Sequence, residues 1–272
     1  WPESAIDTGV LTNQTIIRFA YWFEGFIYRK SRLINTLTPA FRQKLIAEKG
    51  VPAGKVVMIP NAADFSLSEQ LLHTFDAEVF RREKGWTGRF VVTYVGAHGV
   101  ANHLIQLVEA AELLRDTPAL FLLIGDGMQK PMLREEVGRR GLSNVQFVDS
   151  VPKKEVFKYI LASDLGTSVL KKTDTFKTIY SNKTFDYMSC RKPILMVIDG
   201  VSRELVEAAR CGVYAEPENA ADIAAKIRTY LGANGQLAKE GMNGYQYARQ
   251  YFDRTHLAGR YLEELSRITE QK

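Results

Sequence analysis

The sequence predicts an α/β protein whose C-terminal part is a doubly wound parallel sheet. Short apolar runs alternate with amphipathic helical segments from residue 90 to residue 231. The apolar runs are rich in β-branched and aromatic residues, which is typical of strands buried on both faces. Since parallel strands need helical crossovers between them, this repeated alternation indicates a parallel sheet with helices on both sides.

The first 64 residues predict part of a second α/β unit. Helical segments at 13–32 and 40–49 each precede a short apolar run, at 33–37 and 55–59. The expected start and stop signals flank these segments: Asn13, Thr38-Pro39, Gly50 and Pro60-Asn61. The pattern predicts two helices and two strands here.

A polar stretch of mixed composition separates the two units. Residues 65–88 show no strand-like run, and their one helical pattern covers residues 77–84. We interpret this stretch as a hinge or linker. The predicted organisation is therefore a unit at 1–64, a linker at 65–88, a larger unit at 89–250 and a C-terminal helix within 251–272.

The larger unit has six predicted strands with helices between them. The strands lie at 90–95, 120–124, 145–148, 165–169, 194–197 and 213–215. The helices lie at 103–115, 131–140, 153–162, 182–189, 202–209 and 219–231. Further helical patterns at 237–250 and 255–268 are followed by no strand, so the sheet is predicted to end before them.

Composition narrows the classes of protein. The two cysteines, Cys190 and Cys211, lack metal-ligand spacing and indicate a reduced, cytoplasmic setting. No apolar run reaches the roughly 18–20 residues of a membrane span, and no signal peptide is visible. The chain begins at Trp1 rather than methionine, so we expect a fragment of a longer protein. A net charge of +5 suits phosphates or acidic partners, but no basic run with interleaved aromatics indicates nucleic-acid binding.

Glycine and polar residues mark the carboxyl ends of three successive predicted strands. Ligands bind at these ends in doubly wound sheets, where glycine lets a phosphate approach the backbone and helix N-termini supply N–H donors. The alternative is that each turn is glycine-rich because it needs positive φ angles. The candidate residues are Gly96, His98, Gly99, Gly125, Asp126, Gly127, Asp149 and Ser150.

The sequence excludes several classes of ligand but does not by itself identify the ligand. The first turn lacks the GxGxxG pattern of dinucleotide enzymes, and no GxxxxGK[ST] phosphate-binding loop occurs. The four histidines, at positions 73, 98, 103 and 256, share no ligand spacing, so no metal site is expected. His98 lies in the first glycine turn and is the one candidate catalytic side chain, with a surface role as the alternative.

Residues 181–193 form the most informative segment. They read SNKTFDYMSCRKP, a loop that enters a helix. Lys183 near the helix start would neutralise a diphosphate, and Asp186 one turn later would accept hydrogen bonds from ribose hydroxyls. The alternative is an i,i+3 surface ion pair worth a few tenths of a kcal/mol.

Five segments in order resemble a known family: VVMIPNAAD, VVTYVGAHG, LLIGDG, NVQFVDSVP and NKTFDYMSCRKP. Together they resemble family 4 glycosyltransferases, which have the GT-B architecture of two Rossmann-like domains. The N-terminal residues Trp1-Pro2-Glu3-Ser4 resemble a motif in the N-terminal domain of bacterial enzymes of O-antigen and capsule synthesis. Within that group the chain is most similar to transferases of N-acetylated amino sugars, such as N-acetylfucosamine.

The resemblance implies retaining transfer of a sugar from a nucleoside diphosphate, here UDP, without a bound metal or other cofactor. It also implies site residues. Asp186 matches the second acidic residue of the family's E-x7-E motif, which binds ribose, and Gly96 and Gly99 match the loop facing the diphosphate and acceptor. Residues 149–151 match the segment that holds the base through its backbone. Ser181 and Asn182 precede Lys183 on the donor loop.

Three positions depart from the family pattern. The first glutamate of E-x7-E falls at Thr178, so the usual contact with the donor sugar is missing. The family's diphosphate arginine and lysine fall near Ala97 and Asn102, and we expect Lys183 to take over from the other side of the site. Arg191 replaces the glycine usual before Lys-Pro. These changes are consistent with a different mode of diphosphate binding or with an enzyme of reduced activity.

The helix at 13–32 combines aromatic and cationic residues, as helices at a membrane interface do. A lipid-linked acceptor would make docking at the inner face of the cytoplasmic membrane useful. The alternative is packing of these aromatics inside the N-terminal unit, since they form no single clean stripe.

The leading hypothesis is a glycosyltransferase that acts on a lipid-linked or growing saccharide in bacterial surface polysaccharide synthesis. One rival is a UDP-sugar 2-epimerase of the same architecture, for which His98 is the visible acid/base candidate. A second rival is a non-catalytic nucleotide-sugar-binding protein, which the threonine at position 178 favours.

Overall fold

The computed structural model of the protein describes residues 2–270, apart from the side chain of Asn234. Trp1, which opens the Trp1–Ser4 motif, lies outside the described residues, as do the last two residues of the predicted C-terminal helix. Two parallel sheets and the helices around them make up the described chain. The predicted α/β class with parallel strands is thus confirmed.

The helices and strands follow one another along nearly the whole described chain. The helices are α1 Glu3–Asp7, α2 Gln14–Lys30, α3 Pro39–Ala47, α4 Phe65–Thr74, α5 Ala77–Glu83, α6 Ile105–Leu113, α7 Lys130–Arg139, α8 Lys153–Leu161, α9 Asn182–Ser189, α10 Val201–Ala209, α11 Ala220–Tyr230, α12 Asn234–Tyr251 and α13 Arg254–Glu270. The strands are β1 Ile34–Thr36, β2 Val56–Met58, β3 Phe90–Val95, β4 Ala119–Ile124, β5 Val145–Val148, β6 Leu165–Val169, β7 Ile194–Val197 and β8 Gly212–Tyr214.

The larger sheet has six parallel strands in the order β5-β4-β3-β6-β7-β8. The chain first builds the sheet outward from β3 to β5 and then returns to place β6 on the other side of β3. The order therefore reverses between β3 and β6, and ligands of doubly wound sheets bind at such a switch point.

Side chains on successive strand residues point to opposite faces of this sheet. Along β3, Val92 and Tyr94 join a core with helices α6 and α11, while Val91 joins a second core with Leu120 and Leu122. A third core packs α8, α9 and α10 against β7. Both faces are covered by helices, which explains the nearly continuous apolar character of β3, β4 and β7.

The N-terminal unit is small. Strands β1 and β2 pair in parallel, with Ile34 opposite Val56, and α3 packs on them through the buried Leu45. Asn13 and Thr38 cap α2 and α3 through their side-chain oxygens, as the sequence predicted.

The predicted linker is helical over most of its length. Helix α5 falls where a helix was expected, but α4 was not predicted, and it buries Phe65 and Leu71 in the core of α8 and α9. Farther on, Trp86 is buried and donates its indole N–H to Gln146 Oε1 at 2.9 Å. These residues pack on the larger unit, so α4 and α5 form part of its surface layer.

Helix α13 begins beside the end of the N-terminal unit. The Ala63 N–H donates to Phe252 O at 2.8 Å, and the Arg254 N–H donates to Ala63 O at 3.3 Å. Arg254 also forms an ion pair with Asp64 at 2.9 Å. Within residues 2–270, no helix combines the length and the apolar character needed to cross a membrane.

Candidate functional site

The first two glycine turns touch each other at the carboxyl edge of the larger sheet. A Cβ on Gly125, whose φ is +135°, would stand 2.0 Å from the carbonyl oxygen of Gly96. A Cβ on Gly127 would stand 2.6 Å from the carbonyl oxygen of His98. Since no side chain fits at these distances, both positions need glycine. The structural interpretation of the glycines therefore holds, and the same contact brings the two turns into one site.

A buried lysine joins the second turn to the third. Lys130 Nζ lies 2.7 Å from Asp126 Oδ1, 2.6 Å from Asp149 Oδ1 and 2.7 Å from Gly125 O. Asp126 also accepts the backbone N–H of Ser150 at 2.9 Å. The hydrogen bond from Lys130 lowers the pKa of Asp126 to about 2. Asp126 thus fixes the loop geometry, and all three predicted turns meet at one place.

Val151 follows the third turn and packs its side chain against the core that contains Trp86. In the first turn, the Asn102 N–H donates to Gly99 O at 3.1 Å, and Asn102 Oδ1 lies 3.4 Å from the position of a Gly99 Cβ. Asn102 therefore shapes the end of the first turn.

Helix α9 is held at the switch point by a buried tyrosine. The Tyr187 hydroxyl lies 3.1 Å from the carbonyl oxygens of Thr93 on β3 and Thr167 on β6, and it accepts the Val95 N–H at 3.1 Å. Gly166 makes room for the Tyr187 ring, since a Cβ there would lie 2.5 Å from it. This anchor sets the position of α9, which carries the two residues singled out by the sequence.

Lys183 lies against the first glycine turn. Its Cε is 3.2 Å from the position that a Cβ on Gly96 would take. Its Nζ is 4.9 Å from the centre of the Tyr94 ring and 3.3 Å from Ser181 Oγ. Burial lowers the pKa of Lys183 to about 8. The site therefore holds an amine close to Gly96 whose charge depends on pH near neutrality.

Asp186 lies one turn farther along α9. Burial raises its pKa, and Lys153 at the start of α8 partly offsets that rise, with its Nζ 3.7 Å from Asp186 Oδ1. Lys153 Nζ also lies 3.3 Å from Asp64 Oδ2. The predicted surface ion pair between Lys183 and Asp186 is not among the ion pairs of the described residues, and Lys153 pairs with Asp186 instead.

The residues before Lys183 link the loop to its surroundings. The Ser181 N–H donates to Ser202 Oγ at 3.3 Å, and Asn182 accepts a hydrogen bond from the side chain of Asn61. Thr178 lies in a 3-10 turn, and its carbonyl oxygen accepts the Thr38 hydroxyl at 2.6 Å. The segment that leads into α9 thus contacts the N-terminal unit through Thr178 and Asn182.

His98 is fully buried under the first turn. Its ring centre lies 6.1 Å from that of Tyr94 and 6.2 Å from that of Phe147, and neither ring nitrogen has a hydrogen-bond partner. Burial, followed by the charge of Lys130, lowers the pKa of His98. A neutral imidazole in this place contacts a substrate only if the loop moves, so its catalytic role stays a prediction.

The sequence analysis did not single out two residues of the site, Lys130 and Lys153. The i,i+4 spacing of Asp126 and Lys130 was a visible signal for their pair. Lys153 gave no local signal, because its partner Asp186 is distant in sequence. Among residues 2–270, no three His, Cys, Asp or Glu side chains converge as metal ligands. The site therefore presents an amine and glycine backbone at one end and a carboxylate beside a second amine at the other.

Comparison with known proteins places this sheet in a family. Residues 89–233, just over half of the chain, match the profile of the family described as glycosyl transferases group 1. WcaI of Escherichia coli K12, whose name assigns it to colanic acid biosynthesis, is 24% identical over 238 residues, which are 85% of this chain and 56% of WcaI. The α-D-kanosaminyltransferase of Streptomyces kanamyceticus is 24% identical over 218 residues, covering 78% of this chain and 54% of that enzyme.

Solved structures share the fold. HepE of Anabaena, crystallised with UDP and glucose, has a TM-score of 0.79 at 22% identity, over 94% of this chain and 68% of HepE. WaaG, a glycosyltransferase of lipopolysaccharide biosynthesis, has a TM-score of 0.66 at 17% identity, over 79% of this chain and 58% of WaaG. These similarities confirm the GT-B type of architecture. The chain spans only a little over half the length of the curated relatives it matches.

Proposed function

The chain belongs to the group 1 glycosyl transferases, and we propose that it transfers a sugar from UDP to a saccharide or lipid-linked acceptor. The observation that carries the proposal is the position of Lys183 against the Gly96 turn, with Asp186 one helical turn away. A diphosphate needs a cation and backbone N–H donors, and a ribose diol needs a carboxylate acceptor. The site offers both at the switch point of the sheet.

In the proposed reaction the bond between the sugar C1 and the diphosphate oxygen breaks. The acceptor hydroxyl oxygen forms the new bond to C1 on the same face, and its proton passes to the leaving diphosphate oxygen. Stereochemistry at C1 is therefore retained, and the reaction uses no metal. The protein contributes positioning and stabilisation of the charge that grows on the diphosphate, for which we propose the Lys183 ammonium beside Gly96.

Related proteins support the substrate classes. WcaI and the kanosaminyltransferase are named as sugar transferases, and HepE holds UDP and glucose on the same fold. We propose UDP as the nucleotide and, from the resemblance to N-acetylfucosamine transferases, an N-acetylated amino sugar as the transferred group. The process is then the assembly of a bacterial surface polysaccharide, such as O-antigen or capsule.

Helix α2 supports a lipid-linked acceptor. The side chains of Phe19 and Trp22 are 60% and 58% exposed, and they stack with Phe23 and Phe26 into one aromatic face. Four cationic residues lie in the same helix or just after it: Arg18, Arg29, Lys30 and Arg32. Aromatic rings beside cations are suited to the headgroup region of an anionic membrane. We propose that α2 holds the protein at the inner face of the cytoplasmic membrane.

A radiolabelled-donor assay tests the proposed activity. The protein is incubated with a UDP-sugar labelled in the sugar, with and without a lipid extract from a polysaccharide-producing bacterium. Transfer of label to the lipid fraction is the expected result. Isomerised UDP-sugar formed without acceptor would identify the 2-epimerase instead, although His98, the acid/base candidate for that rival, is buried. Donor binding with neither transfer nor hydrolysis would identify a non-catalytic binding protein.

A further inference from the structure

Four charged side chains of alternating sign form a row between the C-terminal helix α13 and helix α9 of the site. Arg254 Nη1, at the start of α13, lies 2.9 Å from Asp64 Oδ2. The same oxygen of Asp64 accepts a hydrogen bond from Lys153 Nζ at 3.3 Å. Lys153 Nζ in turn lies 3.7 Å from Asp186 Oδ1. The row therefore connects the carboxylate proposed to bind ribose with two residues in other parts of the fold.

Asp64 is a fixed anion in this row. Its side chain is only 14% exposed, and its Oδ1 accepts the Ser66 hydroxyl at 2.7 Å. Burial opposes ionisation of Asp64, but the hydrogen bond from Ser66 and the two neighbouring cations outweigh it, so the pKa of Asp64 stays below its usual range. Asp64 is therefore a carboxylate at neutral pH, and it attracts Lys153.

Lys153 is shared unequally between two carboxylates. The 3.3 Å separation from Asp64 permits a hydrogen bond, whereas 3.7 Å from Asp186 exceeds the range of one. The Lys153 side chain is 45% exposed at the start of α8, so its flexible stem can turn toward either partner. The position of the ammonium group therefore depends on the charge of Asp64.

The separation of Lys153 from Asp186 matters for a bound nucleotide. At 3.7 Å the charge of Lys153 still favours ionisation of Asp186, but it does so without a direct hydrogen bond. An ammonium group that donated directly to Asp186 would occupy one of its oxygens. Ribose would then have to displace that ammonium before both of its hydroxyls could bind, and nucleotide affinity would fall.

We propose that Asp64 is a positioning residue for nucleotide binding, which holds Lys153 away from Asp186 so that the carboxylate of Asp186 stays free to accept the ribose hydroxyls. Arg254 pairs with the same oxygen of Asp64 and so limits how strongly Asp64 attracts Lys153. The inference rests on the proposed role of Asp186 in the nucleotide site. Asp64 acts through Lys153 and needs no contact with the nucleotide.

The first test measures UDP binding by calorimetry at pH 7.5 in wild type, Asp64→Asn, Lys153→Met and the protein with both changes. Asparagine keeps the shape and a hydrogen-bond acceptor at position 64 and loses the charge. The matched control combines Asp64→Asn with Lys158→Met, because Lys158 is on the same helix as Lys153 and pairs with Glu155. Thermal unfolding checks that each variant is folded.

Asp64→Asn is expected to weaken UDP binding about tenfold, because Lys153 then pairs closely with Asp186. Adding Lys153→Met is expected to restore UDP affinity to within about twofold of Lys153→Met alone, whereas adding Lys158→Met leaves it weak. A merely structural role of Asp64 would not be reversed by the loss of a second charge. The proposal is overturned if folded Asp64→Asn binds UDP as wild type does, or if Lys153→Met fails to restore binding.

NMR titration of the Asp186 carboxyl group in the free protein measures the same coupling without a nucleotide. The charged and titratable groups that interact with Asp186 are Lys153 on α8, Lys183, Tyr187 and Cys190 on α9, Asp64 before α4, and Arg254 on α13. Asp64→Asn is expected to lower the pKa of Asp186, because an anion is lost and Lys153 moves closer. Arg254→Met is expected to raise that pKa, because a cation is lost and Asp64 draws Lys153 away.

Both shifts in the pKa of Asp186 are expected to be larger when Lys153 is present than in the Lys153→Met background. Equal shifts in the two backgrounds would mean that Lys153 does not move, and they would overturn the proposal. Arg254→Met alone decides the question if Asp64→Asn does not fold. Wild type that fails to bind UDP contradicts the proposed function instead, and the titration still decides whether Asp64 positions Lys153.

Discussion

The side chain of Lys183 lies over Gly96, with its Cε 3.2 Å from the point where a Cβ on Gly96 would be. The contact joins the two halves of the reversed strand order, since Gly96 follows β3 and Lys183 belongs to the helix after β6. Burial lowers the pKa of this lysine to about 8. A diphosphate bound here would restore the favourable environment for the ammonium form.

We expect UDP affinity to fall as the pH rises from 7.5 to 9.5. In the free protein the Lys183 ammonium loses its proton near pH 8. In the complex the negative charge of the diphosphate keeps Lys183 protonated, so binding above pH 8 requires Lys183 to take up a proton. The loss over this range is on the order of tenfold, measured by calorimetry. Lys183→Arg, which stays charged, is expected to bind UDP with a flat pH profile. A flat profile in wild type would contradict this assignment.

Gly125→Ala is expected to destabilise the protein and to weaken UDP binding. Its φ is +135°, and the new Cβ would meet Gly96 O at 2.0 Å, so the two turns must separate. The expected loss in unfolding free energy is about 2 kcal/mol or more, measured by urea denaturation. Gly138→Ala in α7 is the control, because a Cβ there meets nothing within 4 Å and is expected to be neutral or slightly stabilising. Equal stability of the two variants would refute the close approach of Gly125 to the carbonyl oxygen of Gly96.

Lys153→Met is expected to make UDP binding more sensitive to acid. Burial raises the pKa of Asp186 and Lys153 counteracts it, so removing Lys153 lets that pKa rise further. A carboxyl group that is protonated as the pH falls no longer accepts two ribose hydroxyls. The ratio of UDP affinity at pH 7.5 to that at pH 5.5 should therefore increase several-fold over wild type, while Lys158→Met, whose partner is Glu155, leaves it unchanged. An unchanged affinity ratio in Lys153→Met would mean that the ion pair between Lys153 and Asp186 does not influence UDP binding.

Trp22→Ala is expected to reduce sedimentation with vesicles of phosphatidylglycerol and phosphatidylcholine several-fold. Its side chain is 58% exposed within the aromatic face of α2, and removing it takes away apolar area that would enter the headgroup region. Leu262→Ala on α13 is the matched control, because Leu262 is 65% exposed but outside that face. Equal losses in the two variants, or no sedimentation of wild type, would argue that α2 packs against protein instead.

The sheet was predictable because β3, β4 and β7 are nearly continuous apolar runs and helical patterns separate all six strands, which are features of local sequence. Helix α4 was not predicted, since polar residues interrupt its four apolar side chains, Phe65, Leu67, Leu71 and Leu72, and make the segment resemble a polar linker. Lys183 and Asp186 stood out because they share one short segment. Lys153 became visible only when the fold brought α8 beside α9, as contacts between distant segments leave no local trace.

Calorimetric titration of UDP into wild type and Asp186→Ala tests most directly whether the edge of the sheet around Lys183 and Asp186 binds the nucleotide. We predict that wild type binds UDP and that the variant, which loses charge-assisted hydrogen bonds to ribose, binds at least about tenfold more weakly. Asp174→Asn, which alters an exposed carboxylate on the same loop, is expected to bind as wild type does. Absence of UDP binding in wild type, or equal affinity of Asp186→Ala and wild type, would contradict the assignment.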